Sequence, residues 1–137
     1  MSTTATTITS ERLMRRSREA LSALAVEFLL GMTVNLLPDG GVAAQVLHPI
    51  ALGLHVVVGI GVVIVAVRLL RVAQQQDVAV REAAWALVVV AATFVAGVLT
   101  VVLHSEWLSF LMAAGFLAST LMYVRLLLVG ATVARAS

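Results

Sequence analysis

Four long apolar stretches, separated by short polar connections, run through this chain. They are Ala20–Leu37, Pro49–Leu70, Ala83–Leu103 and Trp107–Val129. Each is close to the ~20 residues an α-helix needs to cross the hydrocarbon core of a bilayer. The connections read "PDGGVAAQVLH", "RVAQQQDVAVRE" and "HSE". Such short links make sequence neighbours pack antiparallel. Repeated Val in the second and third stretches does not argue for strands, because an open sheet in lipid leaves its edge groups unpaired. The pattern predicts an all-α integral membrane fold, an antiparallel bundle of four transmembrane helices. Residues 1–17 form a polar, basic segment ahead of it, and 18–137 form the membrane domain.

Composition agrees. The 137 residues are 61% hydrophobic and 12% charged, with mean hydropathy +1.08. A soluble domain has roughly 45–50% apolar and about 25% charged residues. With no Cys, a disulfide framework, a thiolate metal site and a redox thiol are excluded. The first apolar run follows a basic cluster and has no small-residue cleavage site after a short apolar core. It therefore reads as a first span rather than a cleaved signal.

All nine basic residues are Arg, and their placement sets the orientation. Arg12, Arg15, Arg16 and Arg18 precede the first span. Arg68, Arg71 and Arg81 flank the second connection, and Arg125 and Arg135 end the fourth span. All lie on one side of a four-span hairpin pair, opposite Asp39 and Glu106. The positive-inside rule then puts both termini in the cytoplasm of a bacterial inner membrane. Trp107 and Trp85 fall where outer and inner aromatic anchors belong.

Depth follows at about 1.5 Å per residue. Asn35, His48 and His104 come out near the outer surface. His55 lies roughly 10 Å down and Glu27 roughly 15 Å, close to the midplane. Helical spacing puts Ala23, Glu27, Gly31 and Asn35 on one face. His48, Ala51, His55 and Gly59 share a face of the second span, and Thr93, Gly97, Thr100 and His104 one of the third. Ser109, Ala113, Phe116, Thr120 and Tyr123 share one of the fourth. These stripes of polar and small residues should face each other, since lipid offers polar groups no partner. Gly31, Gly97 and Ala113 share the level of His55. This level is either a zone of close helix packing or a cavity walled by His55 and floored by Glu27.

Glu27 carries the strongest chemical signal. An ionised carboxylate at the bilayer centre costs at least ~2.5 kcal/mol, so such a residue faces the bundle interior and pairs. The partner expected is His55, giving a proton-active pair; the plainer alternative is a neutral carboxyl bonded to Ser or Thr. Glu27, His55, Gly31, Asn35 and Gly97 are the candidate ligand-binding or proton-active residues. His55 is followed four residues later by Gly, a spacing that clears space beside a haem-ligating ring. His55 with Met112 is thus a candidate haem b ligand pair. His48, His104 and Glu106 are candidate metal ligands at the outer mouth, or simply helix caps. The chain has no phosphate-binding loop, dinucleotide fingerprint, zinc-protease motif or serine elbow. It also lacks the folded basic surface that nucleic-acid binding requires.

The segment "ALAVEFLLGMT" resembles the first-span acidic region of small multidrug-resistance transporters over about a dozen residues. That resemblance implies a small proton-coupled transporter centred on Glu27. The later spans depart from that family in lacking its Trp- and Tyr-bearing motifs, and the one-sided arginines argue against dual topology. The whole chain looks more like the short, Lys-free, four-span membrane proteins of actinobacteria that have no assigned activity. Three functions are consistent with this reading. One is an accessory protein that oligomerises, or joins a larger membrane complex, through faces such as Ala92/Ala96 and Ala114/Ala118. The second is a ligand-binding or transport protein using Glu27 and His55. The third is a haem or quinone redox protein.

Overall fold

A computed structural model describes residues 3–37, 41–103 and 105–136. They form four α-helices: α1 (Thr3–Leu36), α2 (Val42–Gln76), α3 (Val80–Leu103) and α4 (Glu106–Ala136). All four contain a stretch long and apolar enough to cross a bilayer. The expected bundle is therefore present, with no strand among the described residues. Helices α1, α2 and α4 overrun their apolar stretches at the end that carries the arginines. Residues 3–19 contain neither Gly nor Pro, so nothing breaks the helix as the sequence turns polar. At the other end α1 stops at Leu36, two residues before Pro38, which disfavours helix in the residue it follows.

Each helix packs against two others, giving the ring α1–α2–α3–α4, and among the described residues the diagonal pairs bring no backbone into close approach. The turn between α2 and α3 is tight. Asp77 and Ala79 both adopt left-handed backbone, each at φ 53°. The amide of Val78 reaches back to the carbonyl of Ala73 at 3.2 Å, the closure typical of a helix C-terminus. A left-handed alanine is uncommon, and here it reverses the chain within three residues.

Most of the buried residues follow one rule. They are Leu13, Ser17, Ala20 and Leu24 on α1, and Val62, Ala66, Leu69 and Ala73 on α2. On α3 they are Ala83, Ala86 and Val90, and on α4 Ser119, Tyr123 and Leu126. Every step is three or four residues, the spacing of a left-handed helix seam. These residues lie in the half of the bundle nearer the arginines; Ala51 and Gly59 of α2 are buried outside it. In the arginine half Tyr123 is the largest fully buried side chain. Small residues permit close approach: Gly130 of α4 faces Met14 of α1, and Gly115 of α4 faces Thr93 of α3. The outward faces carry exposed Val, Leu, Ile and Phe along the helices, with Trp85 and Trp107 toward opposite ends, as lipid contact requires.

The three threonines of the expected stripes are satisfied within their own helices. The hydroxyls of Thr93, Thr100 and Thr120 donate to the carbonyls of Val89, Ala96 and Phe116 at 2.7, 2.8 and 2.9 Å. They line the interior without bonding across it.

Ala86 is fully buried on the α3 seam, so enlarging it overfills the packed half. Ala86→Leu is expected to lower the unfolding free energy by roughly 1–3 kcal/mol, checked by denaturant unfolding in detergent micelles followed by circular dichroism.

Candidate functional site

The seam changes character halfway along. Beyond Leu24, Val62, Val90 and Ser119 it is no longer filled by Leu, Tyr and Ala. It continues as Glu27, Gly31 and Asn35 on α1, His55 and Gly59 on α2, Thr93 and Gly97 on α3, and Ser109, Met112 and Phe116 on α4. These residues line a cavity of about 310 Å³ in the half of the bundle away from the arginines. That volume lies at the lower end of small-molecule sites. The floor lies one turn below Glu27, at Leu24, Val62, Val90 and Ser119. The walls are mostly apolar, and Phe28, Met32 and Leu117 are both cavity-lining and exposed. The cavity thus opens sideways between helices as well as holding an interior.

Glu27 and His55 meet on the wall. Nδ1 of His55 lies 3.3 Å from Oε1 of Glu27. The contact is near hydrogen-bond length but poorly aligned, and Glu27 Oε2 is buried with no partner among the described residues. Both side chains are largely shielded, at 17% and 18% exposure. The threonine hydroxyls of the interior are engaged by their own helices, so the imidazole is the polar group beside the carboxylate. From α3 and α4 the nearby lining residues are Thr93, Phe94, Met112 and Phe116, none of them charged.

The backbone makes room for this pair at two glycines. A Cβ on Gly31 would sit 3.1 Å from His55 Cε1, so the imidazole lies flush against α1 there. A Cβ on Gly59 would sit 2.9 Å from Glu27 Oε1 and 3.1 Å from the Phe94 ring. The glycine four residues after His55 therefore seats the carboxylate of the neighbouring helix. The His-x-x-x-Gly spacing suggests haem clearance in the sequence; in the fold this Gly holds Glu27. Gly59 and Phe94 are the residues that sequence reasoning missed as partners of Glu27. The signal available was position: Gly59 lies on the same face as His55, one turn deeper, at the level of Glu27.

The remaining candidates are placed as follows. Gly97 faces the sulfur of Met112, which a Cβ at that position would approach to 3.1 Å. Asn35 lines the cavity and is exposed. His55 and Met112 line the same cavity from α2 and α4, which lie diagonally across the ring. His48, in the second turn of α2, and Glu106, the first residue of α4, sit on helices that lie diagonally across the ring. His104 and Asp39 lie outside the described residues. Among the described residues no group of three His, Asp or Glu side chains is placed to hold a metal ion. Phe28 of α1 and Phe116 of α4 stack at 5.0 Å between ring centroids, with 24° between their planes.

No protein-family model, curated protein or solved structure matches the chain. The site is defined by its own geometry: an apolar cavity in a helical bundle with one acid–imidazole contact on its wall.

Gly59→Ala places a methyl group into the seat of the Glu27 carboxylate. It is expected to destabilise by roughly 1–3 kcal/mol through overpacking. Gly53 has open space at its Cβ position, so Gly53→Ala is expected to be neutral or stabilising by up to ~1 kcal/mol from helix propensity. Parallel unfolding curves of the two variants check the contrast.

Proposed function

We propose that the protein is a small ligand-binding protein of the bacterial inner membrane, with both termini in the cytoplasm. Its outward half receives a small, mainly apolar molecule that carries one basic nitrogen. The nine-to-none arginine asymmetry supports this orientation, because basic residues are retained on the cytoplasmic side. It puts the cavity in the outer half of the bilayer, reachable from that leaflet. The observation that carries the binding reading is the pairing of an apolar cavity of about 310 Å³ with a single shielded carboxylate–imidazole contact. Binding sites of this kind combine apolar walls with a few placed polar groups that fix orientation.

The chemistry follows from what the pair has left over. Glu27 Oε2 has acceptor capacity and no partner among the described residues. A ligand ammonium entering the cavity would donate to Glu27 in surroundings of low dielectric, where a charge-assisted bond is strong. His55 would hold the carboxylate in place and exchange a proton with it. The apolar body of the ligand would lie against Phe28, Val98 and Phe116. Faces such as Ala92/Ala96 and Ala114/Ala118 would serve assembly with a second copy or a larger membrane complex.

Benzylamine and benzyl alcohol, titrated into the purified protein by calorimetry in detergent, separate this reading from a purely structural bundle. Benzylamine is expected to bind, with about tenfold weaker affinity in Glu27→Gln, the ~1.5 kcal/mol of one charge-assisted bond. Benzyl alcohol is expected to lose little. Equal affinity of both probes for wild type and Glu27→Gln would remove Glu27 from the site.

A further inference from the structure

A second cleft lies between α3 and α4 at the arginine end. It has a volume of about 240 Å³ and is lined by Arg81, Glu82, Trp85, Met122 and Arg125. Arg81 belongs to α3 and Arg125 to α4. The register that sets Gly97 against Met112 and Thr93 against Gly115 brings the two arginines to within roughly 5 Å of the same height along the bundle. Both are exposed, and neither has a carboxylate within ion-pair distance among the described residues. Arg15 and Arg16 differ in this respect, since both pair with Glu19, at 3.4 and 2.5 Å.

The cleft also has a polarity gradient. Trp85 is one turn beyond Arg81, and Met122 one turn beyond Arg125, both about 5 Å further toward the middle of the bundle. The order is thus guanidinium, guanidinium, then indole and thioether with depth. Trp85 is 57% exposed, an amphipathic ring of the kind that sits at headgroup level. A free anion would use only the outer part of such a cleft. A phospholipid would match the whole of it, with its phosphate at the arginines and its glycerol and upper acyl carbons over Trp85 and Met122.

We propose that this cleft is a specific site for one anionic phospholipid, whose phosphodiester bridges Arg81 and Arg125. Two guanidinium groups against one carboxylate leave a net positive site, which selects an anionic over a zwitterionic lipid. Guanidinium suits this task because its planar fork donates two parallel bonds to phosphate oxygens. Glu82, which lines the same cleft, accepts from hydroxyl groups of the lipid headgroup. Because the lipid bridges α3 and α4, its binding stabilises that pair.

Phosphatidylglycerol, phosphatidylcholine with the same acyl chains, and inorganic phosphate are added separately to the full-length protein in neutral detergent, and thermal unfolding is followed. Phosphatidylglycerol is expected to raise the midpoint by roughly 3 °C, with phosphatidylcholine and inorganic phosphate giving no rise. The shift is expected to vanish in the double variant Arg81→Gln/Arg125→Gln. It should persist in Arg12→Gln/Arg18→Gln, which removes equal charge elsewhere. Equal shifts with both lipids, an equal shift with phosphate alone, or equal loss in both double variants would overturn the site. A direct readout covers an unstable variant. In a Trp107→Phe background, brominated phosphatidylglycerol is expected to quench Trp85 fluorescence at lower mole fraction than brominated phosphatidylcholine. Equal quenching would overturn the proposal on its own.

Discussion

The structure depends on one seam. Among the described residues the four helices pack as neighbours in a ring, through residues spaced three and four apart along each helix. In lipid the helices gain little by hiding apolar surface from one another, because the surrounding tails are equally apolar. Association therefore rests on how closely the seam residues fit. In the half near the arginines, Leu13, Leu69, Tyr123 and Leu126 alternate with Ala20, Ala66, Ala73 and Ala86, and the interior is solid. In the other half, Gly, Thr, Ser and Met take the seam positions, and the same geometry leaves a cavity.

This division gives each half a separate role. A packed half fixes helix positions, so the open half need not collapse to hold the bundle together. The cost of a buried carboxylate is then met locally: Gly59 clears its seat and His55 stands beside it. A site built on helices anchored one turn below by Leu24, Val62, Val90 and Ser119 has its side chains positioned by rigid elements rather than by loops.

Much of this was legible in the sequence. The fold class, the number of helices and the grouping of Glu27, Gly31, His55 and Gly97 in one interior follow from apolar length and helical period. Both are local properties, read along one helix at a time. What the sequence left open was whether the level of His55 is close-packed or hollow. The fold gives both at once: the imidazole fills the space at Gly31, while the neighbouring positions line the cavity. The grouping of His48 with Glu106 shows the limit of depth alone. Equal height does not make two residues neighbours when their helices sit diagonally across a ring.

The sequence by itself determined that this chain forms four membrane-length helices, and which end of them carries charge. The physical reason is that lipid leaves backbone polar groups no partner outside the helix, so the number and length of apolar runs set the architecture. Only the tertiary structure decided which stripes face which. It is the ring order and the helix register that place Gly59 beside Glu27 and bring Arg81 and Arg125 into one cleft. These depend on the fit of side chains between helices, which no single stretch of sequence contains.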